Sequence, residues 1–282
     1  MNNPKLVKKI TSWLVAFISS VALVGLCILG ILHFTLFNEQ FMMHAAKQAN
    51  YSQTITNEIN TSITDLGRAS NIPPAILKDS VSKEDVSENI NHYIQAIYQN
   101  KTFELVGEDQ LKTTLDRKIQ AYAQQKGLTI DASSQEAIDN LKQQAVTRYQ
   151  QYIEIPYLLT YGSKVIAYTK QLNIFIGLCA IAFILLLLSG IHFFSRLLHR
   201  RLRYVASIVG GAGLMLIVLP AILLISRYIQ RLAINSKALY DFITTYLTSF
   251  TLTFIYWGIG CLVVYGILLL FSELQRKKMV HH

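Results

Sequence analysis

Charge is sorted along this chain. Of the 17 acidic residues, 15 fall between Glu39 and Glu154, and the other two are Asp241 and Glu273. Four apolar stretches surround that island, roughly Ile10–Phe37, Leu172–Phe194, Leu202–Ile225 and Leu247–Phe271, and their central portions carry no charged residue. Crossing a hydrocarbon core takes about 20 apolar residues per helix. Lipid offers no partner to a bare backbone amide, and none of the four shows the period-two alternation of a barrel strand, so helices are the expected spanning form. The chain is only 15% charged and 52% hydrophobic, against about 25% charged for an ordinary soluble domain. The expected class is an all-α integral membrane protein with four transmembrane helices. A helical extracytoplasmic domain is expected between the first and second.

Orientation follows from Lys and Arg near the span ends. Lys5, Lys8 and Lys9 precede the first span, Arg196, Arg200, Arg201 and Arg203 crowd the link between the second and third, and Arg276, Lys277 and Lys278 follow the fourth. All three clusters fall on one side, which should be the cytoplasm. The 226–246 connection holds Arg227, Arg231 and Lys237, and three against ten does not overturn that assignment. The expected division is then residues 1–37 (cytoplasmic N-terminus and first span), 38–171 (extracytoplasmic domain), 172–194 (second span) and 195–201 (basic loop). It continues with 202–225 (third span), 226–246 (outer loop), 247–271 (fourth span) and 272–282, a cytoplasmic tail whose His281 and His282 look like a tag remnant. The first span is expected to stay as a signal anchor, because its apolar run far exceeds the usual signal core of about 7–15 residues.

The net charge of +9 does not predict nucleic-acid binding. Its excess sits in the cytoplasmic clusters, where anionic lipid headgroups are the natural partners. Arg196, Arg200, Arg201 and Arg203 are therefore candidate lipid or partner contacts. Cys27, Cys179 and Cys261 all lie within spans, so the outer domain is expected to be free of disulfides. That usage, with abundant Asn, Gln, Lys and Ile, suits a bacterial plasma membrane. Asn50, Asn60 and Asn100 begin glycosylation sequons, which would matter only in a eukaryote.

Helical periodicity runs through residues 38–171. Ile55, Ile59, Ile63 and Leu66 form one stripe, and Val86, Ile90, Tyr93, Ile94 and Ile97 a second. Leu111, Leu115, Ile119 and Tyr122 form a third, and Ile138, Leu141, Ala145, Tyr149, Tyr152 and Ile155 a fourth. Such faces bury against one another, which predicts a bundle of four or five helices. No Pro or Gly interrupts Ile31–Leu66, so the first membrane helix is expected to continue outward. Asn71-Ile72-Pro73-Pro74 should end it. Ser82 is the expected cap of the next helix. Gly107 and Gly127 punctuate the third, Ser133 or Ser134 should cap the fourth, and Pro156 should kink the chain. Thr102–Val106 and Leu128–Ile130 are the only strand-like segments. Residues 226–246 read either as an interfacial amphipathic helix or as projecting ends of spans three and four. Tyr157, Tyr161, Tyr168, Tyr228, Tyr240 and Tyr246 gather near the outer boundary as an aromatic belt.

Chemistry is not written into the chain. There is no phosphate loop, HExxH or Gly-x-Ser-x-Gly motif, and nothing predicts a cofactor or a metal site. On a continuous helix, His33 and His44 would share a face, which is a weak basis for a site. No Asp, Glu, Lys or Arg sits deep in a span, which argues against a pump or secondary transporter. Gly210, Gly211 and Gly213 in span three and Gly258 and Gly260 in span four are candidate helix-packing or self-association positions. The leading expectation is a non-catalytic envelope protein whose outer domain binds or senses a protein partner. In topology alone, with no shared motif, the chain resembles the membrane subunits of MacB- and FtsX-type ABC systems. That resemblance implies mechanical transmission to an ATPase. A third reading, a membrane enzyme acting on lipid or cell-wall precursors, would call on Glu39, His44 or Asp241.

Overall fold

The computed structural model describes residues 4–155, 157–194 and 198–280. Pro156, Arg196 and the terminal His281 and His282 lie outside them. The chain is 84% helix, with no strand among the described residues, so Thr102–Val106 and Leu128–Ile130 form no hairpin. The helices are α1 (Pro4–Phe34), α2 (Glu39–Gln48), α3 (Tyr51–Ala69), α4 (Pro74–Leu77), α5 (Lys83–Gln99) and α6 (Glu108–Lys126). They continue with α7 (Ala132–Ile153), α8 (Ser163–Ile166), α9 (Thr169–Phe194), α10 (Leu198–Ile225) and α11 (Lys237–Val280). A π-helical turn spans Leu158–Gly162 and a 3₁₀ turn Ile229–Arg231.

The chain divides into two compact units. The apolar unit holds Met1–Asn38, Tyr168–Ala233 and Tyr246–His282. Four helices are long and apolar enough to cross a membrane, over Ile10–Phe34, Leu158–His192, Leu198–Arg231 and Lys237–Lys277. Along α9, Phe175, Leu178, Ile181, Leu185 and Leu188 are each more than half exposed, a surface that water would not tolerate over such a length. Both facts point to a multi-pass membrane protein.

Within this unit α1 packs along α9 and α10. Small residues set the approach. Ser20 is buried and its Oγ donates to the Ile208 carbonyl at 3.1 Å, and a Cβ on Gly211 would stand 2.8 Å from that Oγ. Ala206, Ile208 and Ala212 are fully buried. Cys27, Ile31 and Leu216 form a core lined by Phe250, Phe254 and Cys261.

The polar unit holds Glu39–Ala167 and Ile234–Thr245. In it α3 packs on α2, α4, α5 and α7, while α6 packs on α4 and α7. The apolar stripes supply its core: Ile55, Ile59 and Ile63 from α3, Val86, Tyr93 and Ile97 from α5, Leu115 from α6, and Leu141, Tyr149 and Ile153 from α7 are buried. Stripe ends Leu66, Tyr122, Tyr152 and Ile155 are only half-buried.

Two expectations are corrected. The helix does not run unbroken from Ile31 to Leu66. After Phe34, the Phe37 amide folds back onto the Leu32 carbonyl, and Asn50 takes a left-handed φ of 49° between α2 and α3. Asparagine enters that region at little cost, without glycine. The cap of α7 is Asp131, which accepts from the Ser134 amide at 2.8 Å. The carboxylate one residue before the helix outcompetes both serines for the free amides. Of the two readings of residues 226–246, the amphipathic helix does not form, because Arg227 at φ 53° ends the run of α10, while α11 already begins at Lys237, as the projecting-end reading expects for span four. Of the tyrosines expected in the belt, Tyr157, Tyr161, Tyr168 and Tyr228 are exposed and Tyr240 and Tyr246 half-buried.

Ser82, Gly107 and Gly127 sit where expected. Ser82 Oγ accepts from the Asp85 amide at 3.1 Å, and both glycines adopt positive φ, 83° and 64°. The Asn71–Pro74 stop also falls where expected, since α3 ends at Ala69 and Asn71 turns the chain at φ 58°.

Candidate functional site

Three polar side chains brace the polar unit. Asn89 of α5 is buried. Its Oδ1 accepts from the Val106 amide at 2.8 Å. Its Nδ2 lies 2.9 Å from the Asp85 carbonyl and 3.0 Å from both the Val106 carbonyl and the Tyr149 hydroxyl. One amide thus ties α5, the 101–106 connection and α7. Asn60 of α3 does the same for the link before α5: its Oδ1 accepts from the Ser80 and Val81 amides, and its Nδ2 donates to the Val81 carbonyl at 2.9 Å. That amide is hydrogen-bonded through both its oxygen and its nitrogen. Lys118 of α6 donates to the Lys78 carbonyl at 2.6 Å, and burial pulls its pKa below the usual lysine value.

Tyrosines complete the frame. Tyr93 donates to the Ile155 carbonyl at 3.0 Å. Burial, with Glu154 nearby, pushes its phenol up to about 12. Tyr51 and Tyr149 are raised as well, mainly by burial. Lys142 of α7 pairs with Asp116 at 3.1 Å and Asp139 at 2.7 Å, linking α6 to α7. Glu58 of α3 accepts from Ser236 Oγ at 3.2 Å and from the Ala238 amide at 3.3 Å. It thereby caps α11 where backbone amides are free.

Against this braced frame, the outer face of α5 forms the wall of a groove of about 570 Å³. Lys83, Glu84, Ser87, Glu88, Asn91, His92, Gln95 and Val106 line it. Glu84, Glu88 and His92 recur every four residues, as do Ser87, Asn91 and Gln95, so both rows share one side of the helix. The core stripe of the same helix points the other way. The groove carries both signs of charge, donors, acceptors and one exposed valine. It suits a polar polypeptide surface better than a small apolar ligand. None of these positions carries a catalytic or ligand motif. Their signal in the sequence is the four-residue spacing of polar residues opposite the Val86–Ile97 stripe.

The expected site residues fall as follows. Arg200 and Arg201 are exposed. Arg203 pairs with Glu273 at 3.0 Å, and Glu273 also pairs with Arg276. The second of the two isolated acids is therefore spent between two arginines. Ser272 donates to the His199 carbonyl at 2.8 Å beside it. Cβ atoms on Gly210, Gly211, Gly213 and Gly258 would meet neighbours at 3.0 Å or less. The neighbours are the Tyr265 ring, Ser20 Oγ, the Gly258 carbonyl and the Ile217 side chain. Gly213 and Gly258 face each other across α10 and α11, and a Cβ on either would stand 2.9 Å from the other's carbonyl oxygen. Gly260 is the exception, with open space where its Cβ would stand.

His33 and His44 sit on separate helices, so their eleven-residue spacing aligns nothing. His44 is exposed and shares a 3.0 Å hydrogen bond with Gln48. Among the described residues no three His, Cys, Asp or Glu side chains are placed to hold a metal ion. Glu39, His44 and Asp241 line neither the α5 groove nor a hollow of about 480 Å³ beside Ile10, Trp13, Leu14 and Phe17. No protein-family model, curated protein or solved structure matches the chain.

Proposed function

We propose that this chain is a non-catalytic membrane protein of the bacterial cell envelope, with its polar unit on the extracytoplasmic side and a protein partner bound along α5. The observation that carries the reading is the α5 groove, a mixed-charge face on a helix whose backbone and far side are held by Asn89, Tyr93 and Tyr149. A rigid, preorganised face loses little conformational freedom when a partner docks. The orientation rests on the ten Lys and Arg residues clustered at the opposite span ends.

The test uses a photo-crosslinking residue placed at Ser87 or Asn91 in intact cells, with Lys126 on α6 as the control. A discrete adduct from the α5 positions alone is expected, and its mass separates a second copy of this chain from another protein. No adduct from α5, or equal adducts from all three, would end the proposal. For orientation, a cysteine at Ser87 should react with an impermeant probe added to whole cells, while one at Lys277 stays shielded. The reverse would invert the threading.

One observation favours transmission to an ATPase as a second reading. α11 is a single 44-residue helix whose first turns belong to the polar unit and whose remainder belongs to the apolar unit. Such a helix is about 66 Å long. Its start is held by Glu58, and Glu273 near its other end holds Arg203 and Arg276. Reversing the charge of Arg200 and Arg201 should uncouple an associated ATPase. An unchanged ATPase response would remove this reading.

A further inference from the structure

The π-helical turn and α8 present an unusual face. Their inner side is packed on α5: Gly162 has Ile97 Cγ2 only 3.0 Å from the place of a Cβ, and Ser163 is buried, its Oγ donating to the Leu159 carbonyl at 2.6 Å. Their outer side carries Tyr157 (77% exposed), Tyr161 (61%) and Val165 (43%). Elsewhere in this unit the same residue type is used as core, with Tyr93 and Tyr149 both at 2%. The two outer rings stand 6.2 Å apart, and Lys164 Nζ lies 5.7 Å from the Tyr161 ring centre.

Two facts say what covers this face. The first is covalent reach. Leu172, where the second apolar stretch begins, is only eight positions after Lys164. That is about 12 Å if helical and under about 30 Å however the chain runs. The helical run Leu158–His192, which includes Lys164 and Val165, contains a stretch with the hydropathy of a span. The second is charge: no acidic residue occurs between Glu154 and Asp241, while Lys164 and Lys170 flank the entry to α9. Exposed phenols, an aliphatic side chain and an ammonium group together match the chemistry of a headgroup layer, with apolar bodies towards the acyl chains and the cation at the phosphates.

We propose that Tyr157, Tyr161, Lys164 and Val165 form a lipid-binding face that takes anionic phospholipid headgroups in the leaflet where α9 enters. The contact is independent of the partner surface on α5. It makes the base of the polar unit a membrane-surface element.

The experiment uses the full chain in phosphatidylcholine vesicles with a minor fraction of phosphatidylglycerol. Trp13→Phe and Trp257→Phe leave Tyr161→Trp as the only indole, and bromine is carried on one lipid at a time. Both brominated lipids should quench the indole, the phosphatidylglycerol more strongly per mole. Lys164→Gln should cut that anionic preference about fivefold, the loss expected for one basic group at the surface. A control indole at Tyr122 should stay unquenched. Equal quenching by both lipids, unchanged in Lys164→Gln, would overturn the anionic assignment. An indole at position 161 that no brominated lipid quenches would overturn the face altogether. Aqueous iodide would then tell open water from a covering protein.

Discussion

The two units solve the same problem, keeping helices together, with different materials. The polar unit is held by amides and phenols. Asn89 and Asn60 each satisfy several backbone groups in connections that would otherwise face an apolar core. The apolar unit is held by shape, with Ser20, Gly211, Gly213 and Gly258 letting backbones close to contact. The contrast follows from solvent. In water, apolar stripes drive association and the loops between them need polar partners. In lipid, helices satisfy their own backbone and gain nothing from apolar burial, so close approach is what remains.

The largest test of that contrast is alkaline pH. Burial raises the phenols of Tyr51, Tyr93 and Tyr149 above 10.0. An unfolded chain ionises them near pH 10, so the stability they contribute is intact below pH 10 and is lost as pH rises through the folded values. Tyr93, pushed up to about 12, alone accounts for about 3 kcal/mol of that loss. Lys118 works the other way, since its lowered pKa favours folding as pH rises towards 10.5, but it is one amine against three phenols. Tyrosinate absorbance should show a late phase coupled to loss of helix. If every phenol titrates before any helix is lost, the polar frame is not as described.

Asn89→Leu comes next. It orphans the Val106 amide and carbonyl and should cost about 3 kcal/mol, read as faster hydrogen exchange in α5 and α7 with α10 unchanged. A uniform change across both units would erase the distinction between them. In the apolar unit, Gly213→Val or Gly258→Val should cost about 1–3 kcal/mol by overpacking, seen as earlier thermal unfolding in detergent. Gly260→Val, in open space, should leave the melt in place. Equal losses at all three would show that helix propensity, not close approach, is being measured.

Smaller effects sharpen the picture at the edges. Ser82→Ala removes the cap of α5 and should cost about 1 kcal/mol, confined to exchange in its first turn. Arg203→Gln breaks a half-exposed pair in which Arg276 still holds Glu273. A loss below about 1 kcal/mol is expected, and a larger one would give that cluster a structural role.

Much of the helical plan could be read from the residues. Stripes such as Ile55, Ile59 and Ile63 need only a period. Ser82, Gly107 and Gly127 mark helix ends through local chemistry, and so act as expected. The break at Asn50 was hidden because asparagine is equally at home inside a helix and in a left-handed turn. Asp131 does not stand out in the sequence because a carboxylate and two serines compete for the same amides, and only the final backbone path decides. The α5 groove left only a spacing of ordinary polar residues, which any solvated helix face also shows.

Composition alone fixed the solvent: four apolar runs without charge at their centres, and acids confined to one interval, leave helices in lipid and a polar bundle apart from them. Packing decided which of many identical side chains became structural. Asn60 and Asn100 both begin sequons, yet Asn60 clamps a loop while Asn100 ends α5 in a left-handed turn at φ 53°. Gly258 and Gly260 sit two residues apart, yet one meets a neighbouring backbone and the other meets nothing. Period and charge are local quantities that the chain carries with it. What a side chain faces depends on residues far away in sequence, and it exists only once the chain has folded.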